Sequence, residues 1–167
     1  MIISITGTPG CGKTTVSKAL SKKLEYKLID LNKLIMKNKV YSGYDKRRKS
    51  YIVDIEKLKI FFKRLKEKNA IVDSHLSHFL PVDVVIVLRC RPDELDRRMK
   101  LKKWGEEKRR ENFEAELIGL ISYEARQLNK KVYDVDTSDG KVNRMASDIL
   151  KVLAGKGNKF RRTINWM

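Results

Sequence analysis

The chain has 167 residues, 41% of them hydrophobic, which suits one well-buried core and is short for two. Lys and Arg number 38 against 21 Asp and Glu, a net charge of +17 that favours polyanionic partners such as nucleotides or RNA, although heat-adapted chains are also Lys-rich. The two cysteines make no disulfide framework, no apolar run approaches the roughly 18 residues of a membrane span, and the chain opens on an apolar strand without a basic leader. A cytoplasmic protein with reduced thiols and no membrane partner is expected.

Residues 2–6 are apolar and rich in β-branched side chains, so they predict a buried strand ended by Gly7. From Thr14 onward, Val16, Ala19, Leu20 and Leu24 recur at helical spacing. A short strand is expected at residues 26–29. The polar stretch 30–54 that follows reads as irregular, with a short helix at 31–37 and a turn at 41–45. Ile55, Leu58, Phe62 and Leu65 mark the next helix, and residues 70–73 and 84–88 two more apolar strands.

Pro92 opens a charged helix. Residues 97–110 carry eight Lys or Arg against two Glu, interrupted by Trp104-Gly105, and predict a mobile flap. Phe113 to Leu128 is expected to continue as one long helix, residues 132–135 as a fifth strand, and residues 142–153 as the closing helix. Five strands alternating with helices predict an α/β fold with a five-stranded parallel sheet in three layers. The domain is expected to span residues 1–153, leaving 154–167 as a basic tail with two aromatics.

The chemistry concentrates in Gly7-Thr8-Pro9-Gly10-Cys11-Gly12-Lys13-Thr14, which fits G-x-x-x-x-G-K-[ST] between a strand and a helix. In such a loop backbone N–H groups converge on phosphate oxygens, Lys13 reaches the β and γ phosphates, and Thr14 ligates Mg²⁺. The magnesium shell needs an acidic residue at the end of a neighbouring strand, and Asp73 occupies that position. His75, two residues on, admits two roles: orienting water or the γ-phosphate, or a hydrogen bond within its own loop. Phosphoryl transfer also needs cations that close over the substrate. Arg98 and Lys102 are the flap residues chosen for that task, and Asp30, Arg48, Ser50 and Asp54 are candidate contacts to a second, monophosphate substrate.

The motifs GTPGCGKTT, GYDKRRKSYIVD, IVDSHLSHFLP, VVIVLRCRPDELDRRM, ENFEAEL and DVDTS resemble the adenylate kinase isoenzyme six family, the CINAP and Fap-seven proteins, across residues 1–153. The resemblance implies a nucleoside-monophosphate-kinase fold with a short lid, here residues 98–111, and a monophosphate region at 30–53. It implies transfer of phosphate from ATP to AMP giving ADP, some ATP hydrolysis, and Mg²⁺ as cofactor. It also implies a role in small-ribosomal-subunit maturation and pre-rRNA processing beside ribosomal protein S-eleven and rRNA. By position Gly10, Cys11, Gly12, Lys13, Thr14 and Thr15 carry over as ATP ligands, and Asp73 and His75 as the acidic strand-end pair. Residues 136–138 fall where that fold places backbone near adenine. Lys102 stands where the family's lid carries arginine, so charge is kept and bidentate geometry lost.

Overall fold

The computed structural model describes all 167 residues. The element order is β1 (Ile2–Gly7), α1 (Lys13–Leu24), β2 (Lys27–Asp30), α2 (Leu31–Asn38), β3 (Tyr41–Asp45), β4 (Ser50–Val53), α3 (Ile55–Arg64) and β5 (Ala70–Asp73). It continues with β6 (Val84–Arg89), α4 (Pro92–Leu101), α5 (Glu106–Leu117), α6 (Leu120–Leu128), β7 (Val132–Asp136) and α7 (Val142–Leu153). Five strands form one sheet in the order β2-β5-β1-β6-β7, and every pairing in it is parallel. A parallel sheet needs cover on both faces, and the apolar residues supply it. One core cluster joins Ile3, Ile5, Leu20, Ile86 and Leu88 to Leu95, Met99 and Ile149; a second joins Val72 to Leu31, Leu58 and Phe62. Because the strands run the same way, their C-terminal ends share one edge. The phosphate loop, Asp30, Asp73 and the turn after β7 all lie on it.

Three expectations are corrected. The stretch 30–54 is largely regular: residues 41–45 are a strand, not a turn, paired antiparallel with β4. Aromatic packing supports this exposed hairpin, with Tyr51 centred 4.4 Å from Tyr41 and 5.0 Å from Tyr44. The reversal lies at residues 46–49, where Asp45 Oδ1 accepts from Arg47 N–H at 2.9 Å and Arg48 N–H at 3.0 Å.

The helix expected over residues 113–128 breaks into α5 and α6 at Gly119, whose φ of 68° lies in the left-handed region. A Cβ there would sit 3.4 Å from a nitrogen of the Arg89 guanidinium, so the break also makes room for that buried side chain.

Residues 154–167 are no free tail. A 3₁₀ turn over Asn158–Arg161 packs Phe160 against the main core, and the backbone of Ile164 and the indole of Trp166 bond to buried carboxylates. Net charge hid this, because a few inward-facing apolar groups outweigh basic neighbours that stay in water.

Candidate active site

Gly12 starts α1 with φ 99°, a conformation side chains resist, and no side chain caps the helix start. The first turn has no acidic residue, so the N–H groups and the positive end of the helix dipole are left for an anion. Lys13 Nζ donates to the carbonyls of Gly7 (2.8 Å) and Thr8 (3.1 Å), which holds the ammonium inside the loop.

Asp73 ends β5 level with Asp30 at the end of β2. Its carboxyl is raised above the usual carboxylate range, first by burial; the Thr14 hydroxyl and Lys13 pull the other way and Asp30 adds to the rise. A buried carboxylate facing a threonine hydroxyl is an oxygen donor pair of the kind that holds Mg²⁺ together with phosphate oxygens. Burial and the charge on Lys13 push the His75 imidazole down to about 4, so it is neutral near pH 7. His78 is buried against Thr6, with Nδ1 3.0 Å from the hydroxyl, and it braces the sheet.

Two clefts meet at this loop. The smaller, about 410 Å³, is bounded by Cys11, Gly12 and Thr15 on one side and by Arg98, Ser138 and Met145 on the other. The larger, about 1360 Å³, runs from Lys13, Thr14, Asp73 and His75 out between the β3–β4 hairpin and α5. Thr137 ties the loops around the smaller cleft together, its hydroxyl 2.8 Å from the carbonyl of Cys11 and 3.0 Å from that of Arg89.

The sequence-selected residues divide between these clefts. Gly10, Lys13, Thr14, Asp73, His75, Asp30, Arg48, Ser50 and Lys102 line the larger; Cys11, Gly12, Thr15 and Arg98 line the smaller. Arg98 thus faces loop residues Cys11, Gly12 and Thr15 across the smaller cleft, apart from Lys102. Its guanidinium is held by Glu94 Oε1 at 2.8 Å and by the carbonyl of Thr137 at 2.7 Å. Lys102 closes α4 with its ammonium 5.6 Å from the centre of the Trp104 ring.

Asp54 borders neither cleft and caps α3, accepting from Lys57 N–H at 3.0 Å. Asp30 caps α2 in the same way, accepting from Lys33 N–H at 3.0 Å, while still lining the larger cleft.

Sequence reasoning missed the cleft's second wall. Arg47 pairs with Glu107 and Arg48 with Glu111 (3.4 Å), so the hairpin turn and α5 meet across the mouth. Glu107 and Glu111 are one helical turn apart, a spacing that is visible in the sequence. Asn32, which accepts from Ser74 Oγ at 3.2 Å, and Trp104 also line this cleft and carried no signal.

A parallel sheet whose first strand feeds a phosphate loop, with a lid helix pair on one side, defines the class of phosphate-loop kinase folds. Solved structures of that class superpose over nearly the whole chain. Shikimate kinase from Acinetobacter baumannii gives a TM-score of 0.66 at 16% identity, covering 96% of this chain and 95% of that one. Deoxyadenosine kinase from M. mycoides gives 0.62 at 23%, covering 93% and 99%. At such identities the likeness shows the fold alone.

Sequence relatives narrow the class. The family model described as "AAA domain" matches residues 3–119. Proteins named "Putative adenylate kinase" are 41% identical in Methanosarcina acetivorans, over 100% of this chain and 98% of that protein, and 37% identical in Methanocaldococcus jannaschii, over 99% and 93%. The chain belongs to this archaeal family.

Proposed function

We propose that the protein is a magnesium-dependent adenylate kinase, transferring the γ-phosphoryl of ATP to AMP to give two ADP. The observation that carries the proposal is the meeting of two clefts at one phosphate loop, with Lys13 and Asp73 at the junction. ATP lies with its base in the smaller cleft, between Arg98 and the turn at Ser138, and its phosphates wrap the loop toward Lys13. AMP enters the larger cleft, its phosphate drawn by Arg47 and Arg48 beside Ser50.

Both arginines are exposed and paired with glutamates, and exposed pairs contribute little. A phosphate dianion can therefore displace the glutamates and take the guanidinium forks in bidentate fashion. Thr14 and Asp73 would hold Mg²⁺, which would supply positive charge beside the phosphate oxygens. His75, uncharged, accepts or donates a hydrogen bond near the transfer path without adding charge. When AMP is absent, water admitted by the wide cleft accepts the phosphoryl group, which is the basis for a slow ATPase activity.

The protein is further proposed to act within the isoenzyme-six branch of this enzyme class, on the maturing small ribosomal subunit and pre-rRNA, near ribosomal protein S-eleven. The motif resemblance supports that reading, as does the net charge of +17, which suits RNA contact. Two assays test the whole. Coupled measurement of ADP from ATP and AMP should give turnover that Lys13→Ala abolishes. Sedimentation with small-subunit precursors at rising salt should give association that weakens steeply with salt. Turnover with no association at any salt leaves a housekeeping kinase and removes the ribosomal role; rapid phosphorylation of another acceptor with AMP inert removes the substrate assignment.

A further inference from the structure

Glu116 is almost wholly buried at the end of α5, and its carboxylate accepts four hydrogen bonds. Oε1 takes Arg89 Nε at 2.7 Å, the Cys90 N–H at 3.1 Å and the Trp166 indole N–H at 3.0 Å. Oε2 takes one donor, the hydroxyl of Thr8 in the phosphate loop, at 2.5 Å. The same Thr8 offers its carbonyl to Lys13 Nζ (3.1 Å) and to the Cys11 N–H (3.1 Å). A single residue of the loop is thus fixed from behind by a buried carboxylate and from the front by the lysine of the nucleotide site.

Behind Glu116 the charges balance. Arg89 and Arg126 face Glu116 and Asp134, with Ser122 bridging to Asp134 Oδ2 at 2.9 Å. The segment 161–166 completes this network from outside. Arg126 donates to the Arg161 carbonyl (3.0 Å), Arg89 to the Ile164 carbonyl (2.8 Å), and the Ile164 N–H to Asp134 (3.0 Å). Buried ionic networks hold their geometry only while every member is satisfied, and a member stripped of its partner costs more than the bond itself contributed. Residues 161–166 therefore complete a network that reaches the phosphate loop through Glu116, far from them along the chain.

We propose that Glu116 is a positioning residue for the phosphate loop, acting through Thr8, and that Trp166 holds the Glu116 carboxylate in the orientation this requires. The inference rests on the reading of the loop as an ATP site.

The experiment measures ATP affinity by calorimetry, KM and kcat by ADP formation, and melting temperature. The set is wild type, Thr8→Val, Thr8→Ser, Trp166→Phe and the double variant Thr8→Val/Trp166→Phe. Phe keeps an aromatic ring beside Arg89 while removing the indole donor and part of the ring, which the melting temperature controls for; Val keeps the shape of Thr8 and replaces its hydroxyl by a methyl. Each of these single changes should weaken ATP roughly five- to tenfold, the scale of one ordinary net hydrogen bond, because the loop is perturbed and no ligand contact is itself removed. They should raise KM for ATP more than they lower kcat, and Thr8→Ser should restore the wild-type value.

The double variant should be about as weak as the worse single one, since both lie on one path. Unchanged ATP affinity in Thr8→Val, no rescue by Ser, or losses that multiply would overturn the inference. Losses that merely follow a falling melting temperature would overturn it as well. If wild type itself binds no ATP, the reading of the site fails together with this one; a normal wild type with unaffected variants removes the positioning role alone.

Discussion

In the proposed reading the active site has a donor side and an acceptor side, and the two are built on opposite principles. The donor side is buried and over-determined: Thr8, Cys11, Cys90, Glu116 and Thr137 are at most 2% exposed, and the loop is tied to β6, α5 and β7 by hydrogen bonds through them. The acceptor side is a two-stranded hairpin whose strands carry no fully buried residue, joined to α5 by solvent-exposed ion pairs. Tight packing suits a group that must sit at one fixed distance from a γ-phosphate, and weak, exchangeable contacts suit a wall that must open for a second substrate. The comparison sets a buried, multiply bonded wall against an exposed one held by exchangeable contacts.

Four variants break or sharpen that contrast, taken from the largest expected effect. Removing the loop ammonium with Lys13→Ala should lower ADP formation by at least about a thousandfold while the circular dichroism spectrum stays native, because the loss falls on transition-state charge. Asp73→Asn should follow at roughly a hundredfold. Its magnesium requirement should shift to higher concentration, read by titrating Mg²⁺ at fixed ATP.

On the acceptor wall, Arg47→Ala/Arg48→Ala should raise KM for AMP about tenfold with ATP affinity unchanged, since these guanidinium groups lie far from the smaller cleft. Asp54→Ala should leave both substrates' KM alone and cost about 1 kcal/mol of stability in urea titration, as expected for a lost helix cap. If it instead raised KM for AMP without loss of stability, Asp54 would belong to the site after all.

Acid offers a finer probe of the donor side. Hydrogen bonds from Arg97, and then from Arg98, hold the Glu94 carboxyl down to about 2. A carboxylate whose folded value is depressed contributes stability above its ordinary value near 4.5, and that contribution is lost as pH falls toward 2. Glu94→Gln should therefore lower the melting temperature near neutrality, where the contribution is fully present, and flatten its decline between about pH 4.5 and 2, so that the two proteins converge in acid. His75, held at about 4, should place no inflection in the rate between pH 6 and 8, so His75→Gln should leave the shape of the pH–rate curve there unaltered.

The phosphate loop and the strand-end Asp73 were legible in the sequence because their constraints are local. The motif at residues 7–14 needs only its own glycines and the start of α1, and Asp73 ends an apolar strand of four residues. That the sheet is parallel follows from the alternation of strands with helices, whereas the order β2-β5-β1-β6-β7 does not. The hairpin was not legible. Its tyrosines alternate only over a few polar residues, and Gly43 resembles a turn until its pairing partner Ile52 is known. Asp54 was ambiguous because a carboxylate that caps a helix and one that meets a substrate look alike in sequence. The buried set of Arg89, Glu116, Asp134 and Trp166 was the least readable. Its members are spread from position 89 to 166, and each alone looks like an ordinary surface charge or a tail aromatic.

The central claim is that one phosphate loop serves two adenosine sites in adjoining clefts. The most direct test is calorimetric titration with a molecule carrying two adenosines joined by five phosphates. The account predicts one molecule bound per chain, far more tightly than ATP or AMP alone, with the gain lost in Arg47→Ala/Arg48→Ala and all binding lost in Lys13→Ala. Binding no tighter than ATP, and indifferent to the two arginines, would contradict it.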